Sequence, residues 1–358
     1  MKIIFLNIYN GLVDRGSETF VANLASQLSK NHEISVIQGG PPKERLPYRQ
    51  IQVKIPFILN PDIGANRSRK ILVRFVVDIY QLLVLLFTLK SLPYILFKDY
   101  DVIFPTNGFW QLLICRLISL VRRKKLVVIG HAGIGRDDLF NILFRPSLFI
   151  ALTQEAKNWV LSKSPRQKVV VISGGVDTIK FNPEVKAEPI DLPKPILICV
   201  AALVPYKRVD LVIKAVSKLK NVSLLVLGVG YLKKDLEKLG KKLLGKRFRL
   251  TNVSHTKMAG FYNAGSVLTL ASKAKEAFGL TILEAMACNL PVVVNDDPAR
   301  KEIIGEGGLV VNVEDIDSYA GSLKQSLQTN WGNKPRIQAE KFSWDNIAGQ
   351  YEQTLKKL

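Results

Sequence analysis

SKAKEAFGLTILEAMACNLPVVV, residues Ser272–Val294, is the stretch on which the reading of this chain turns. Apolar residues recur at helical spacing from Gly279 onward (Leu280, Leu283, Ala287), and Pro291 opens a run of branched side chains that reads as a buried strand. At the start of that helix the N–H groups of Phe278, Gly279 and Leu280 have no carbonyl one turn back to bond. They point outward, and with the positive end of the helix dipole they suit a phosphate or diphosphate. Gly279, without a Cβ, lets such a group come close. Glu276 lies in the loop and Glu284 in the early helix, eight positions apart, a pair suited to binding sugar hydroxyls at one site. Glu284 has a second reading, because Thr281-Ile282-Leu283-Glu284 also matches the capping box that closes a helix start.

Outward from this stretch the strand-helix alternation continues in both directions. Lys2–Ile8 reads as a first strand, a polar loop follows over Asn10–Gly16, Phe20, Val21, Leu24, Ala25 and Leu28 recur at helical spacing, and Glu33–Gln38 reads as a second strand. Further strands are expected at Asp101–Pro105, Leu126–Ile129, Leu148–Leu152 and Lys168–Ile172. In the second half they are expected at Ile196–Ala201, Ser223–Leu227, Phe248–Leu250, Val267–Leu270 and Pro291–Val294, with helices at 209–219, 232–243 and 279–288. Such alternation favours parallel sheets covered on both faces, an α/β class. The stretch from Phe181 to Pro195, with four prolines, denies both helix and ladder hydrogen bonds and reads as a linker.

A chain of 358 residues suggests two domains, and 47% hydrophobic with 23% charged residues excludes disorder. Cys115, Cys199 and Cys288 are widely separated and show no CxxC spacing, so neither a disulfide framework nor a thiolate metal site is signalled, and a reducing cytoplasm suits them. The net charge of +21 leans toward the first half, where residues 1–175 hold 24 basic against 11 acidic side chains. The charge suits an anionic partner (nucleic acid, a phosphorylated metabolite or the negative cytoplasmic face of a membrane), with simple solubility as its other reading. The lysine-dense tract Lys233–Arg249 has no interleaved aromatics and reads as a solvated helix face rather than a nucleic-acid site. Residues 71–97 are greasy, but Arg74, Asp78, Gln81 and Lys90 interrupt them and Pro93 is expected to break their far end. The charge-free run Ile79–Leu89 is far short of the ~20 residues of a spanning helix, so no transmembrane span is expected. The N-terminus reads as a strand rather than a signal peptide.

The string Glu-x7-Glu around Ala277-Phe278-Gly279-Leu280, with Glu284-Ala285-Met286-Ala287 and a strand opening at Pro291, resembles the donor-binding signature of retaining glycosyltransferases of family 4. Other segments agree in order. Gly16-Ser17-Glu18 sits where that family carries its Gly-rich turn near the donor phosphates, although Ser17 also suits a helix N-cap. Val171–Asp177 followed by Phe181 and Pro183 looks like the family's interdomain signature, with Gly174 where an Asn is usual. Ala201–Asp210 is similar to its Gly-Arg-Leu…Lys-Gly motif, whose Arg and Lys neutralise the diphosphate. Here the chain departs from the pattern, with Ala202 in place of the Arg and Arg208 in place of the Gly, so Lys207 carries more of the load. Arg208 is expected either to supply part of the missing charge or to face solvent at a helix start. His131, within Gly130–Gly135, stands where such enzymes place a histidine lining the acceptor cleft; a core or loop role is its other reading. His32 and His255 have no such support, and Asp137 and Asp138 read as helix-start residues, with orientation of acceptor hydroxyls as their other reading.

The resemblance implies an α/β GT-B architecture, two facing Rossmann-like domains with parallel sheets and an interdomain cleft. Residues 1–174 would bind the acceptor, 175–341 the nucleotide sugar, and 342–358 form a helix packing back on the first domain. It implies a retaining glycosyltransferase in cell-surface glycan synthesis, with a nucleotide-diphosphate sugar as co-substrate and no cofactor. A metal-independent reaction is expected. Glu276 and His131 are the catalytic candidates, and Gly16, Lys207, Arg208, Phe278, Gly279, Leu280 and Glu284 the donor-binding ones, Glu284 toward the ribose. Acceptors of the family are often lipid-linked saccharides at the cytoplasmic membrane face. Arg67, Arg69, Lys70 and Arg74, with the cluster Arg122-Arg123-Lys124-Lys125, suit peripheral docking on anionic lipid at ~1 kcal/mol per charge. A sugar-nucleotide epimerase, a nucleic-acid binder and an inactive homologue are the competing readings; the second lacks any recognised module.

Overall fold

Branched and aromatic runs form strands, and the segments between them that repeat at helical spacing form the covering helices. The computed structural model describes residues 1–13, 16–55, 78–131, 134–272 and 278–358. In chain order the first half gives β1 (Lys2–Asn7), α1 (Gly16–Leu28), β2 (Glu33–Gln38), β3 (Arg49–Gln52), α2 (Ile79–Phe97), β4 (Val102–Pro105), α3 (Gly108–Val121), β5 (Lys125–Ile129), α4 (Arg136–Leu143), β6 (Leu148–Ala151), α5 (Gln154–Lys163) and β7 (Val169–Val171). The second half gives β8 (Ile196–Val200), α6 (Val209–Ser217), β9 (Ser223–Leu227), α7 (Lys233–Leu244), β10 (Phe248–Thr251), α8 (Met258–Ala264), β11 (Val267–Leu270), α9 (Leu280–Ala287), β12 (Val292–Asn295), α10 (Pro298–Ile304), β13 (Gly308–Val311), α11 (Ile316–Gln328), α12 (Lys334–Glu340) and α13 (Trp344–Lys356). Two α/β units result: Met1–Gly174 with Trp344–Leu358, and Gly175–Ser343.

The first unit holds a parallel sheet in the order β3-β2-β1-β4-β5-β6-β7. Its core is aliphatic and aromatic, with Phe5 stacked on Phe104 at 4.7 Å between the two central strands. Helix α13 belongs to this unit: Phe20 of α1 meets Trp344 edge-on at 5.2 Å and Tyr351 at 6.5 Å. The second unit holds a parallel sheet in the order β10-β9-β8-β11-β12-β13. In each sheet the strand order reverses once, at β1/β4 and at β8/β11, and such switch points leave a crevice outside the carboxyl ends of the strands.

Three expectations are corrected. The proline-rich stretch 181–195 is not a linker, for it lies inside the second unit, where Asn263 donates to the carbonyls of Asn182 and Val185 and Glu188 N–H bonds Gly260 O. Bonds from outside the stretch replace the regular ladder its prolines forbid. Pro93 does not break α2, which runs on to Phe97. Arg122 donates to Ile95 O at 2.9 Å and Lys98 O at 2.6 Å, so tertiary contacts satisfy carbonyls at the helix end and hold the last turn. Edge strands β3 and β13 were not foreseen. By length and composition α2 could cross a membrane, yet Leu83, Val84, Phe87 and Ile95 are buried in the first unit's core.

Candidate active site

In the second unit the chain leaves β8 into Ala201–Arg208, where Pro205–Lys207 form one 3-10 turn. The Lys207 ammonium is half-buried over the Tyr206 ring, 5.4 Å from its centroid. Burial, followed by the neighbouring positive charge of Arg300, pushes its pKa down to about 8. Arg300 comes from α10, is 3% exposed, pairs with Asp297 and donates to Ser272 O at 3.2 Å, at the end of β11. The charges of Lys207 and Arg300 thus act on each other beside the β8/β11 switch point, with Asp297 paired to Arg300. Two cations gathered at the carboxyl ends of parallel strands suit an anion.

Arg208 turns to acidic partners in the structure. Its backbone is left-handed (φ 49°), and its guanidinium grips Glu314 through two bonds of 2.6 and 3.2 Å with Asp210 at 3.7 Å, which raises its pKa. Its guanidinium lies against those two carboxylates, and the cation whose charge reaches Lys207 is Arg300, itself paired with Asp297.

The helix start at α9 is built on Gly279, whose φ of 87° is a left-handed geometry that disfavours any side chain. No side chain caps the helix there, and Phe278 is anchored away from it, buried against Phe342 at 6.2 Å, with half-buried Leu280 opening the helix. With Gly279 as N-cap, Thr281 lies inside the helix and the capping-box reading of Glu284 falls. Glu284 instead accepts from Tyr262 OH at 3.0 Å and from His255 Nε2 at 2.9 Å. Lys180 Nζ lies 2.9 Å from His255 Nδ1. An ammonium only donates, so Nδ1 accepts, Nε2 carries the hydrogen, and the imidazole donates to Glu284. Burial and then the Glu284 charge hold the Tyr262 hydroxyl well above its usual pKa, fixing it as a donor. A carboxylate with two lone-pair positions taken keeps others for a ligand. Glu276 lies outside the described residues.

In the first unit a cavity of about 340 Å³ opens at the β1/β4 switch point, lined by Tyr9, Ser17, Glu18, Tyr80, Asn107, Phe109, His131 and Asn141 among others. Asn107 Oδ1 accepts from Ile8 N–H at 2.8 Å and Gln81 Oε1 from Phe109 N–H at 3.2 Å, so polar side chains fix the loops that form its wall. His131 lies two residues beyond β5, its ring edge-on to Phe20 at 4.6 Å. Its Nε2 is buried without a hydrogen bond among the described residues, and burial pushes its pKa down to about 4, so the imidazole is neutral. Gly16 is exposed and begins α1, which places Ser17 inside the first turn rather than at the N-cap; its hydroxyl donates to Glu18 at 2.8 Å. Asp138 is buried and accepts from Asn141 at 2.9 Å. The side chain of Asp137 and residues 132–133 lie outside the described residues.

Sequence reasoning missed four residues: Arg300, His255, Tyr262 and Glu18. Only Arg300 carried a usable signal, because Asp297-Pro298 after a buried strand announces a helix start at a strand's carboxyl end.

Residues 15–180 match the family model described as Glycosyltransferase Family 4, and residues 181–342 the one described as Glycosyl transferases group 1. The chain is 39% identical over 88 residues to the O-antigen chain mannosyltransferase B of Escherichia coli, covering 23% of each. It spans 48% and 57% of the lengths of two further curated relatives. Its fold matches the sucrose-phosphate synthase of Thermosynechococcus elongatus (TM-score 0.80, 18% identity, 99% of this chain and 98% of that one). It also matches Anabaena Alr3699/HepE in complex with UDP-glucose (TM-score 0.73, 20% identity, all of both chains). With the two family models matched in succession from residue 15 to residue 342, the chain belongs to glycosyltransferase family 4, of the GT-B type.

Proposed function

We propose that the protein transfers a sugar, with retention and without a metal ion, from a nucleoside-diphosphate sugar to a saccharide or lipid-linked acceptor in cell-surface glycan synthesis. The observation that carries this is the convergence of Lys207 and Arg300 on the β8/β11 switch point of a unit whose α9 begins at a left-handed glycine. Breaking the anomeric C–O bond leaves positive charge on the sugar and negative charge on the departing diphosphate. Lys207, Arg300 and the α9 amides meet the second charge, and such preorganised donors stabilise the transition state more than the ground state. Glu284 takes the ribose hydroxyls and Glu276 those of the transferred sugar. The departing phosphate oxygen accepts the acceptor's proton on the same face, so the anomeric configuration is kept. The solved neighbour with UDP-glucose supports the nucleotide-sugar class.

The acceptor enters the first unit's cavity beside His131. Peripheral attachment to the cytoplasmic membrane face is part of the same proposal, and α2 and α3 support it. Phe97 and Val121, each 83% exposed, end these two helices, which Arg122 ties together beside Lys98 and Arg123. An apolar tip ringed by cations suits an anionic bilayer.

The test is to incubate the purified chain with radiolabelled nucleotide sugars and a membrane lipid extract, with and without a chelator, and to read the product's anomeric configuration by NMR. Glu276→Ala is the control. Transfer with the donor's configuration, undiminished by chelation and lost in the variant, is expected. An inverted product, a metal requirement or an isomerised donor without transfer contradicts the proposal.

A further inference from the structure

Among the residues lining the first unit's cavity, Glu18 and His131 carry buried polar atoms, Oε2 and Nε2, that no described residue satisfies. Glu18 is only 4% exposed, and Ser17 occupies its other oxygen at 2.8 Å. A carboxylate oxygen so deeply buried without a donor is costly, unless a ligand brings the hydrogen. The rest of the wall matches one kind of visitor. Phe109, Phe140 and Tyr80 offer apolar ring surface and Asn141 an amide, and Asn107 and Gln81, already bonded to backbone, hold the loops in place. A pyranose presents such a combination, with hydroxyls on its rim and C–H groups on its faces.

We propose that this cavity binds a neutral sugar rather than a phosphorylated one, and that Glu18 is the residue that decides between them. One sugar hydroxyl donates to Glu18 Oε2, and a second on the same ring meets His131 Nε2. A phosphate dianion in the same place has no hydrogen to give and meets at close range the charge of a Glu18 side chain that is itself buried, where like charges repel more strongly than in open water. The neutral imidazole of His131 does nothing to offset that repulsion. The proposal rests on the transferase reading only in calling this sugar the acceptor; the binding preference stands or falls by itself.

The experiment is a set of saturation-transfer NMR titrations of the full-length chain with methyl glucoside and methyl mannoside, and with glucose and mannose phosphates. Wild type, Glu18→Gln and Glu18→Asp are compared, and UDP and GDP titrations are run on the same samples. Wild type is expected to bind a neutral glycoside in preference to its phosphate. Glu18→Gln should weaken the neutral glycoside about tenfold, the worth of one charge-assisted bond, and shrink the preference. Glu18→Asp, which keeps the charge, should weaken binding yet go on rejecting phosphates. A structural role alone would lower both ligand classes equally. That result, a preference for phosphates in wild type, or no transfer to any neutral glycoside overturns the proposal. Loss of UDP and GDP binding in wild type would instead strike at the donor-site reading.

Discussion

Lys207 is partly buried and shares its surroundings with Arg300, and burial first, then that like charge, make its own charge sensitive to pH. Its pKa is lowered to about 8 from an ordinary value of 10.5, so in the ligand-free protein it loses its proton as pH rises through about 8. A diphosphate needs the charged form, so nucleotide affinity should fall across that window. Lys207→Arg, charged throughout, should flatten the profile in calorimetric titrations with UDP and GDP. A second residue-scale prediction concerns Gly279: its φ of 87° and an added Cβ 3.1 Å from Ile282 Cδ1 should make Gly279→Ala cost about 1–2 kcal/mol in a denaturant titration, with weaker nucleotide binding. At this scale the sequence showed Glu284 but not its partners. Tyr262 and His255 lie 22 and 29 positions away and meet it only once α8 and α9 pack, so no local spacing reveals them. Arg208 misled for the converse reason, because its partner Glu314 is 106 residues distant.

At the scale of elements, strands with branched apolar runs were legible and the two unforeseen ones were edges. β3, Arg49–Gln52, buries only Ile51, and β13 opens with Gly308, so neither shows the pattern of a strand buried on both faces. Helix α2 was legible as apolar, while its passage through Pro93 depends on α3, which the sequence alone does not bring near. The ends of those two helices give a prediction. Val121→Glu with Phe97→Glu should abolish cosedimentation with anionic vesicles while leaving the melting temperature close to wild type, since both side chains are 83% exposed. Unchanged vesicle binding, or none by wild type, would contradict the proposed docking through these helix ends. Just beyond β5, His131 makes stability depend on pH with a definite sign. Its folded pKa of about 4 lies below the ordinary 6.5, so the unfolded chain takes up its proton first. Its contribution is therefore complete above about 6.5 and is lost as pH falls toward about 4. Urea midpoints of wild type should drop across that interval more than those of His131→Asn.

For the whole molecule, the two-half alternation was legible because parallel strands buried on both faces leave continuous apolar runs, and the proline stretch misled because its order comes from α8. The net charge of +21 was open to several partners, and in the structure it gathers at two places: Lys207 with Arg300 at a switch point, and Lys98, Arg122 and Arg123 beside the exposed Phe97 and Val121. The account turns on the first of these. Calorimetric titration of UDP and GDP onto the full-length chain, wild type against Lys207→Ala, tests it most directly. Saturable binding of at least one of them, weakened about 10- to 100-fold by the loss of one charge-assisted contact, is predicted. Binding of equal strength in the variant would contradict it.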